Sequence, residues 1–117
     1  PGNPWVICTL WQAQYIIERA RTLDELNQAI PLLEWAVRRA DQSGVMAEQF
    51  NPYTGAPISV SPLTWSHATF VIAVMEYLKK YDRLTATSLK RIGAALKAAE
   101  MDNNSTHPSE TADAASW

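Results

Sequence analysis

From Pro4 to Ala20 the sequence has helical spacing and is apolar on more than one side, through Val6, Ile7, Leu10, Trp11, Ile16 and Ile17. A helix that is apolar on most sides is buried on most sides. A chain of 117 residues has room for one modest domain. Such a helix therefore asks for more neighbours than the rest of this chain readily supplies.

The next signals are also helical. Pro4 suits the first position of a helix, where its missing N–H costs nothing. Thr22-Leu23-Asp24-Glu25 fits a capping box, in which side chains satisfy two orphan amide donors. Apolar positions then recur at Leu26, Ile30, Leu33, Val37 and Ala40, and Pro31 interrupts them. The spacing predicts a short helix that ends before Pro31 and a new one that opens at Pro31-Leu32-Leu33.

Residues 41–61 differ in kind. Gly44, Pro52, Gly55 and Pro57 punctuate them, and Asn51-Pro52-Tyr53-Thr54-Gly55 is a turn signature. Loops of this length in compact domains are commonly functional. Ser61-Pro62 then reads as the cap and first position of another helix, with Ala68, Val71, Met75 and Leu78 as its apolar stripe. Lys79, Lys80 and Arg83 sit toward its end, where the helix dipole favours cations.

A terminal amphipathic helix is expected over 85–101, with Leu89, Ile92, Leu96 and Ala99 on one face. The polar stretch 102–117 reads as a disordered tail. Beyond a possible short strand at Pro57–Val60 there is no β alternation, so the fold class is all-α.

Ten Lys plus Arg against twelve Asp plus Glu leave a net charge of -2. That balance gives no electrostatic footprint for nucleic acid or for an anionic membrane surface. No apolar run approaches the ~20 residues that cross a bilayer, and Pro1-Gly2-Asn3-Pro4 lacks the charged start of a secretory leader. The lone Cys8 excludes an internal disulfide framework and reads as a small buried residue of the first helix. The compartment expected from these features is cytoplasmic. His67 and His107 lie in different segments with no carboxylate at ligand spacing, so no metal is expected, and no cofactor loop is present.

The chemistry-bearing residue is Glu48, one carboxylate in a loop rich in apolar and aromatic neighbours (Met46, Phe50, and Trp65 beyond it). A carboxylate so placed can serve as a general base if it reaches a water or a substrate proton. Glu18, Glu34, Glu76 and Glu100 fall on helices and read as solvated faces, as does Arg38-Arg39. Trp5, Trp11 and Trp35 have helical spacing and are expected in the core.

The run Ala47-Glu48-Gln49-Phe50 through Thr54-Gly55, followed by Leu63-Thr64-Trp65-Ser66-His67-Ala68, resembles the C-terminal catalytic segment of family 15 glycoside hydrolases. Upstream, Asn3-Pro4-Trp5 with Cys8-Thr9-Leu10 and the intervening Leu32-Leu33-Glu34-Trp35-Ala36 are similar in kind. That family holds glucoamylases, glucodextranases and microbial trehalases. The resemblance covers about residues 2–84.

It implies that residues 1–84 are the C-terminal portion of an (α/α)6 barrel, three to four helices with the loop 41–61 at its active end. It further implies an inverting, exo-acting hydrolase, with glucoamylase-like cleavage of α-glucan ends first, and trehalase or glucodextranase activity as alternatives. Glu48 matches the family's general base, Gln49 a residue that orients it or a sugar hydroxyl, and Trp65 a sugar-facing wall. His67 is expected to be structural, since some members carry tyrosine at the matching place. The general acid matches nothing here, so the chain alone is expected to be inactive, its partner being the missing remainder of the same catalytic domain and its substrate a glucan or disaccharide. The alternative of another class is a non-catalytic helical module that binds carbohydrate or protein.

Overall fold

The computed structural model of the chain describes residues 2–106. Helix α1 spans Val6–Arg19, α2 Leu23–Asn27, α3 Ile30–Arg39 and α4 Thr64–Thr106; strands β1 (Gln49–Phe50) and β2 (Pro57–Ile58) form a small hairpin between α3 and α4. The fold is all-α, as a portion of a helical barrel would be. Residues Pro1–Thr85 make one compact unit and Ala86–Trp117 a second.

Helix α1 starts two residues later than the sequence suggests. Trp5 is its cap in extended conformation, and Pro4 lies outside it. The physical reason is a competing partner: Trp5 forms an isolated antiparallel bridge with Gln49 and is extended there rather than helical. The capping box at Thr22 forms with one variation. Thr22 Oγ1 accepts from the Glu25 amide at 3.2 Å, while Glu25 Oε2 accepts from the Arg21 amide at 2.7 Å, one residue further back than usual. Pro31 sits in the first turn of α3, so the chain does end one short helix and open the next.

Two apolar clusters hold the first unit. Val6 and Leu10 of α1, Ala36 of α3, Ala73 of α4 and Met46, Ala47 and Phe50 of the loop form one. Ala13, Ile17, Ala20, Leu26 and Ala29 form the other. Polar contacts tie α4 to α1: Gln14 Nε2 donates to Glu76 Oε2 at 2.9 Å, and Lys80 Nζ donates to the Glu18 carbonyl at 2.8 Å. Lys80 thus serves a carbonyl of the last turn of α1, where carbonyls lack helical partners. It does not mark the end of α4, which continues to Thr106.

Several expectations need correction. The buried face of α4 carries Ser66, Thr69 and Ala73, whereas Val71, Met75 and Leu78 are 57%, 51% and 55% exposed. The inward face is the small and polar one: the Ser66 hydroxyl donates to the Ala47 carbonyl, and Ala73 joins the cluster of Val6, Leu10 and Phe50. Cys8 is exposed, and Trp11 is 49% exposed. They share the outer side of α1, whose inner side carries Val6, Leu10, Ala13 and Ile17. Ser61-Pro62 does not open α4, which begins at Thr64; the Leu63 amide donates instead to the Met46 carbonyl at 3.0 Å.

Residues 85–101, expected as a separate helix, belong to α4, as do residues 102–106. Leu89, Ile92 and Leu96 are exposed. The expected disorder over 107–117, and His107 with it, lies outside the described residues. Among the described residues no helix is long and apolar enough to cross a membrane.

Candidate active site

Residues 41–61 are built from two turns and a hairpin. At the first turn, Asp41 Oδ1 accepts from the Ser43 hydroxyl at 2.6 Å and from the Ser43 and Val45 amides at 2.8 and 2.9 Å. The Ser43 hydroxyl, then the Val45 amide, hold the Asp41 carboxyl below its ordinary pKa. Gly44 supplies the left-handed residue this turn needs, at φ 84°. At the second turn, Asn51 Oδ1 accepts from the Tyr53 and Thr54 amides at 2.9 and 3.0 Å, and Gly55 at φ 72° closes the loop. That turn sets the hairpin register, Gln49 opposite Ile58 and Phe50 opposite Pro57.

Between the turns, residues 46–50 are held from three sides. The Met46 amide donates to His67 Nε2 at 3.0 Å. The buried Ser66 hydroxyl donates to the Ala47 carbonyl, also at 3.0 Å. The Glu48 amide donates to the Val60 carbonyl at 2.9 Å, and the Glu48 carbonyl accepts from the Val6 amide at 3.1 Å. Phe50 then donates its amide to the Pro4 carbonyl at 3.1 Å. Every backbone tie either fixes or flanks Glu48, so its position is set by α1, α4 and the hairpin together.

The Glu48 side chain is half-buried. Its Oε2 accepts from Gln49 Nε2 at 3.0 Å and from the Ser59 hydroxyl. Both donors converge on one oxygen, and Oε1 has no protein donor among the described residues. Ser59 adopts φ 65°, uncommon for a residue with a side chain. Such a conformation costs on the order of 1–3 kcal/mol and persists where surroundings over-determine it, here beside a carboxylate. Chemically the arrangement gives a carboxylate fixed by one oxygen with the other open to a water molecule.

The expected site residues do not all meet. Gln49 bonds Glu48 directly. Trp65, 53% exposed, packs edge-on against Trp11 with ring centroids 5.8 Å apart. Trp35 is half-buried and packs against the core, its ring 6.1 Å from Phe50, whereas Trp5, also expected in the core, is exposed because it caps α1 and bridges Gln49 at the edge of the hairpin. Arg39 corrects the reading of Arg38-Arg39 as a wholly solvated pair: its guanidinium lies 5.1 Å over Trp35 and 5.8 Å over Phe50. Arg38 is exposed and bridges Glu34 at 2.7 Å.

Concavities of about 460 Å³, beside Arg19 and Arg21, and about 410 Å³, between α3 and α4, contain none of Glu48, Gln49 and Trp65. No cluster of three or more metal-ligating side chains occurs among the described residues.

The sequence model of the glycosyl hydrolases family 15 matches residues 1–75. The chain belongs to this family. An uncharacterized glycosyl hydrolase of Methanocaldococcus jannaschii is 36% identical over 84 residues, covering 64% of this chain and 14% of that protein. The chain thus spans a small part of the length of that relative. No solved structure matches. Within this family 15 segment lie all the residues tied to Glu48.

Ser59 and Ser66 escaped the sequence reading. Ser59 was within reach of simple counting: extending the register outward from Gln49 and Ile58 places it opposite Glu48, 11 residues on. Ser66 had no such signal, since a serine inside a helix more often faces solvent. His67, expected to be structural, accepts from the Met46 amide at Nε2. As an acceptor at Nε2 it carries its proton on Nδ1. Replacing His67 with Phe leaves the Met46 amide without a partner and is expected to cost about 1–3 kcal/mol, read as a lowered midpoint in denaturant unfolding.

Proposed function

We propose that this chain supplies the catalytic base, Glu48, of an inverting, exo-acting α-glucosidase that hydrolyses the ends of α-glucans. The observation that carries the reading is the Glu48 carboxylate, anchored through Oε2 with Oε1 open. An inverting base must be ionised and must hold one water on the side of the sugar opposite the leaving group. One anchored oxygen fixes direction, and the open one takes the water's proton as it attacks the anomeric carbon. Gln49 orients the carboxylate, and Trp65 offers an apolar ring with one donor to a sugar face.

The general acid is supplied from elsewhere in the enzyme. Glu34 is paired with Arg38, Glu76 with Gln14, Glu25 caps α2 and Asp41 closes a turn. Inverting enzymes hold their two carboxyl groups ~6.5–9.5 Å apart, and the chain alone is inactive on this reading. The partner is the remainder of the same catalytic domain. The exposed apolar rows on α1 (Trp11, Tyr15) and α4 (Val71, Ile72, Met75, Leu78) support it, since monomers seldom leave large contiguous apolar patches open.

The test is the anomeric configuration of the first product. The complete enzyme carrying this segment, given a linear α-1,4 gluco-oligosaccharide, is expected to release β-glucose, followed by proton NMR before mutarotation. Early release of α-glucose contradicts inversion. Parallel reactions on trehalose and on an α-1,6 glucan decide the substrate, and preference for either contradicts the glucoamylase-like assignment.

A further inference from the structure

The Asn3 side chain is exposed and sits outside every helix. Its Nδ2 nevertheless donates to Gln49 Oε1 at 3.3 Å, and Gln49 Nε2 donates in turn to Glu48 Oε2 at 3.0 Å. We propose that Asn3 is a positioning residue that orients Glu48 through Gln49; the functional part of this proposal rests on Glu48 being the base.

The polarity of the chain is forced link by link. An ionised carboxylate only accepts hydrogen bonds, so Gln49 must turn its nitrogen toward Glu48. Its oxygen then faces the other way, and the group there must donate. Asn3 meets that demand with its own amide nitrogen. The terminal torsion of a glutamine is broad and roughly two-fold, so an unrestrained carboxamide readily turns over. Turned over, Gln49 would present an oxygen to the carboxylate in place of a donor. Asn3 opposes that rotation by adding a second hydrogen bond to the orientation the carboxylate demands: a turned-over Gln49 would lose its bond to Glu48 and keep a partner in Asn3 only if that carboxamide turned over as well.

The backbone explains why Asn3 is available for this. Trp5 bridges Gln49, and the Phe50 amide donates to the Pro4 carbonyl at 3.1 Å. The Val6 amide holds the Glu48 carbonyl at the same distance, 3.1 Å. The segment before α1 is therefore held alongside β1 by an isolated antiparallel bridge at Trp5, and Asn3 is carried to the flank of Gln49. Pairing by the Asn-Pro-Trp segment and orientation of the loop are two parts of one arrangement.

The test is a double-mutant cycle in the complete enzyme carrying this segment. Asn3→Leu keeps the size and removes the donor, without touching the core. It is expected to lower kcat about three- to tenfold with KM unchanged, the scale of one neutral hydrogen bond. In a Gln49→Ala background the same substitution is expected to change kcat by less than about twofold, because the group through which it acts is gone. An unchanged kcat in Asn3→Leu, or an equal loss in both backgrounds, overturns the proposal.

A second arm does not depend on turnover. The Gln49 side-chain amide resonances, followed by nitrogen-15 NMR, are expected to move toward free-amide positions in Asn3→Leu. Resonances that stay in place overturn the orienting role. If Glu48 proves not to be the base, this arm still decides whether Asn3 orients Gln49, so the two failures are distinguishable.

Discussion

Replacing Glu48 with glutamine is expected to lower kcat of the complete enzyme by about 10²–10⁴ while KM changes little. The magnitude follows from what is removed. Glutamine keeps the size of the side chain and can still bond Ser59, but it cannot take a proton from water. Substrate contacts made by the rest of the pocket survive, so ground-state binding is spared. The Ser59 and Gln49 contacts to Oε2 bear on a control as well. Gln49→Ala and Ser59→Ala leave the carboxylate in place and misdirect it, and each is expected to cost far less than loss of the carboxylate itself. Turnover of Glu48→Gln near the wild-type rate on every glucoside would sink the catalytic assignment.

The second large effect concerns stability. Phe50→Ala is expected to destabilise the fold by about 3–5 kcal/mol, measured as a shift of the denaturant midpoint with an unchanged slope. Phe50 is buried in the cluster that joins α1, α3, α4 and the loop, and its ring meets Trp35 edge-on beneath Arg39. Removing it opens a cavity that the fixed backbone of β1 cannot collapse to fill. Domains of ordinary stability have 5–15 kcal/mol in all, so this single change consumes a large share. Phe50→Leu, which refills most of the volume, is expected to lose less than half as much. Equal losses for the two variants would show that ring volume is not what the cluster needs.

How much of this was legible in the sequence depends on the range of the interaction. Local rules worked where a residue's partner is a few positions away. The Thr22 cap, the restart of the helix at Pro31 and the turn at Asn51–Gly55 all formed because their partners lie within the same turn. Glu48 stood out because a lone carboxylate in an apolar loop is chemically conspicuous, and the family motif around it is long.

Rules that look at one helix face failed where the partner is distant. By hydropathy Val71, Met75 and Leu78 are the stripe to bury, yet Ser66, Thr69 and Ala73 face inward, and nothing local announces that Ser66 finds its partner in the Ala47 carbonyl. Pro4 is a sound helix starter in isolation, yet the bridge from Trp5 to Gln49 draws the chain into strand geometry first. Ser61-Pro62 looked like a helix start for the same local reason, but the Leu63 amide was already engaged by the Met46 carbonyl. The apolar outer side of α1 gave no local sign of its environment either: Trp11 and Tyr15 are exposed.

The central claim, that Glu48 acts as the base rather than as a fixture of the loop, is tested most directly by chemical rescue. Glu48→Ala in the complete enzyme removes the carboxylate and leaves a space beside Ser59 and Gln49. Added azide, a small anionic nucleophile, can then attack the anomeric carbon from the side the water occupied, while the intact general acid protonates the leaving oxygen. The account expects turnover of an α-glucoside to recover with azide concentration and the product to be the β-glucosyl azide. Absence of recovery, or an α-configured azide, would contradict it.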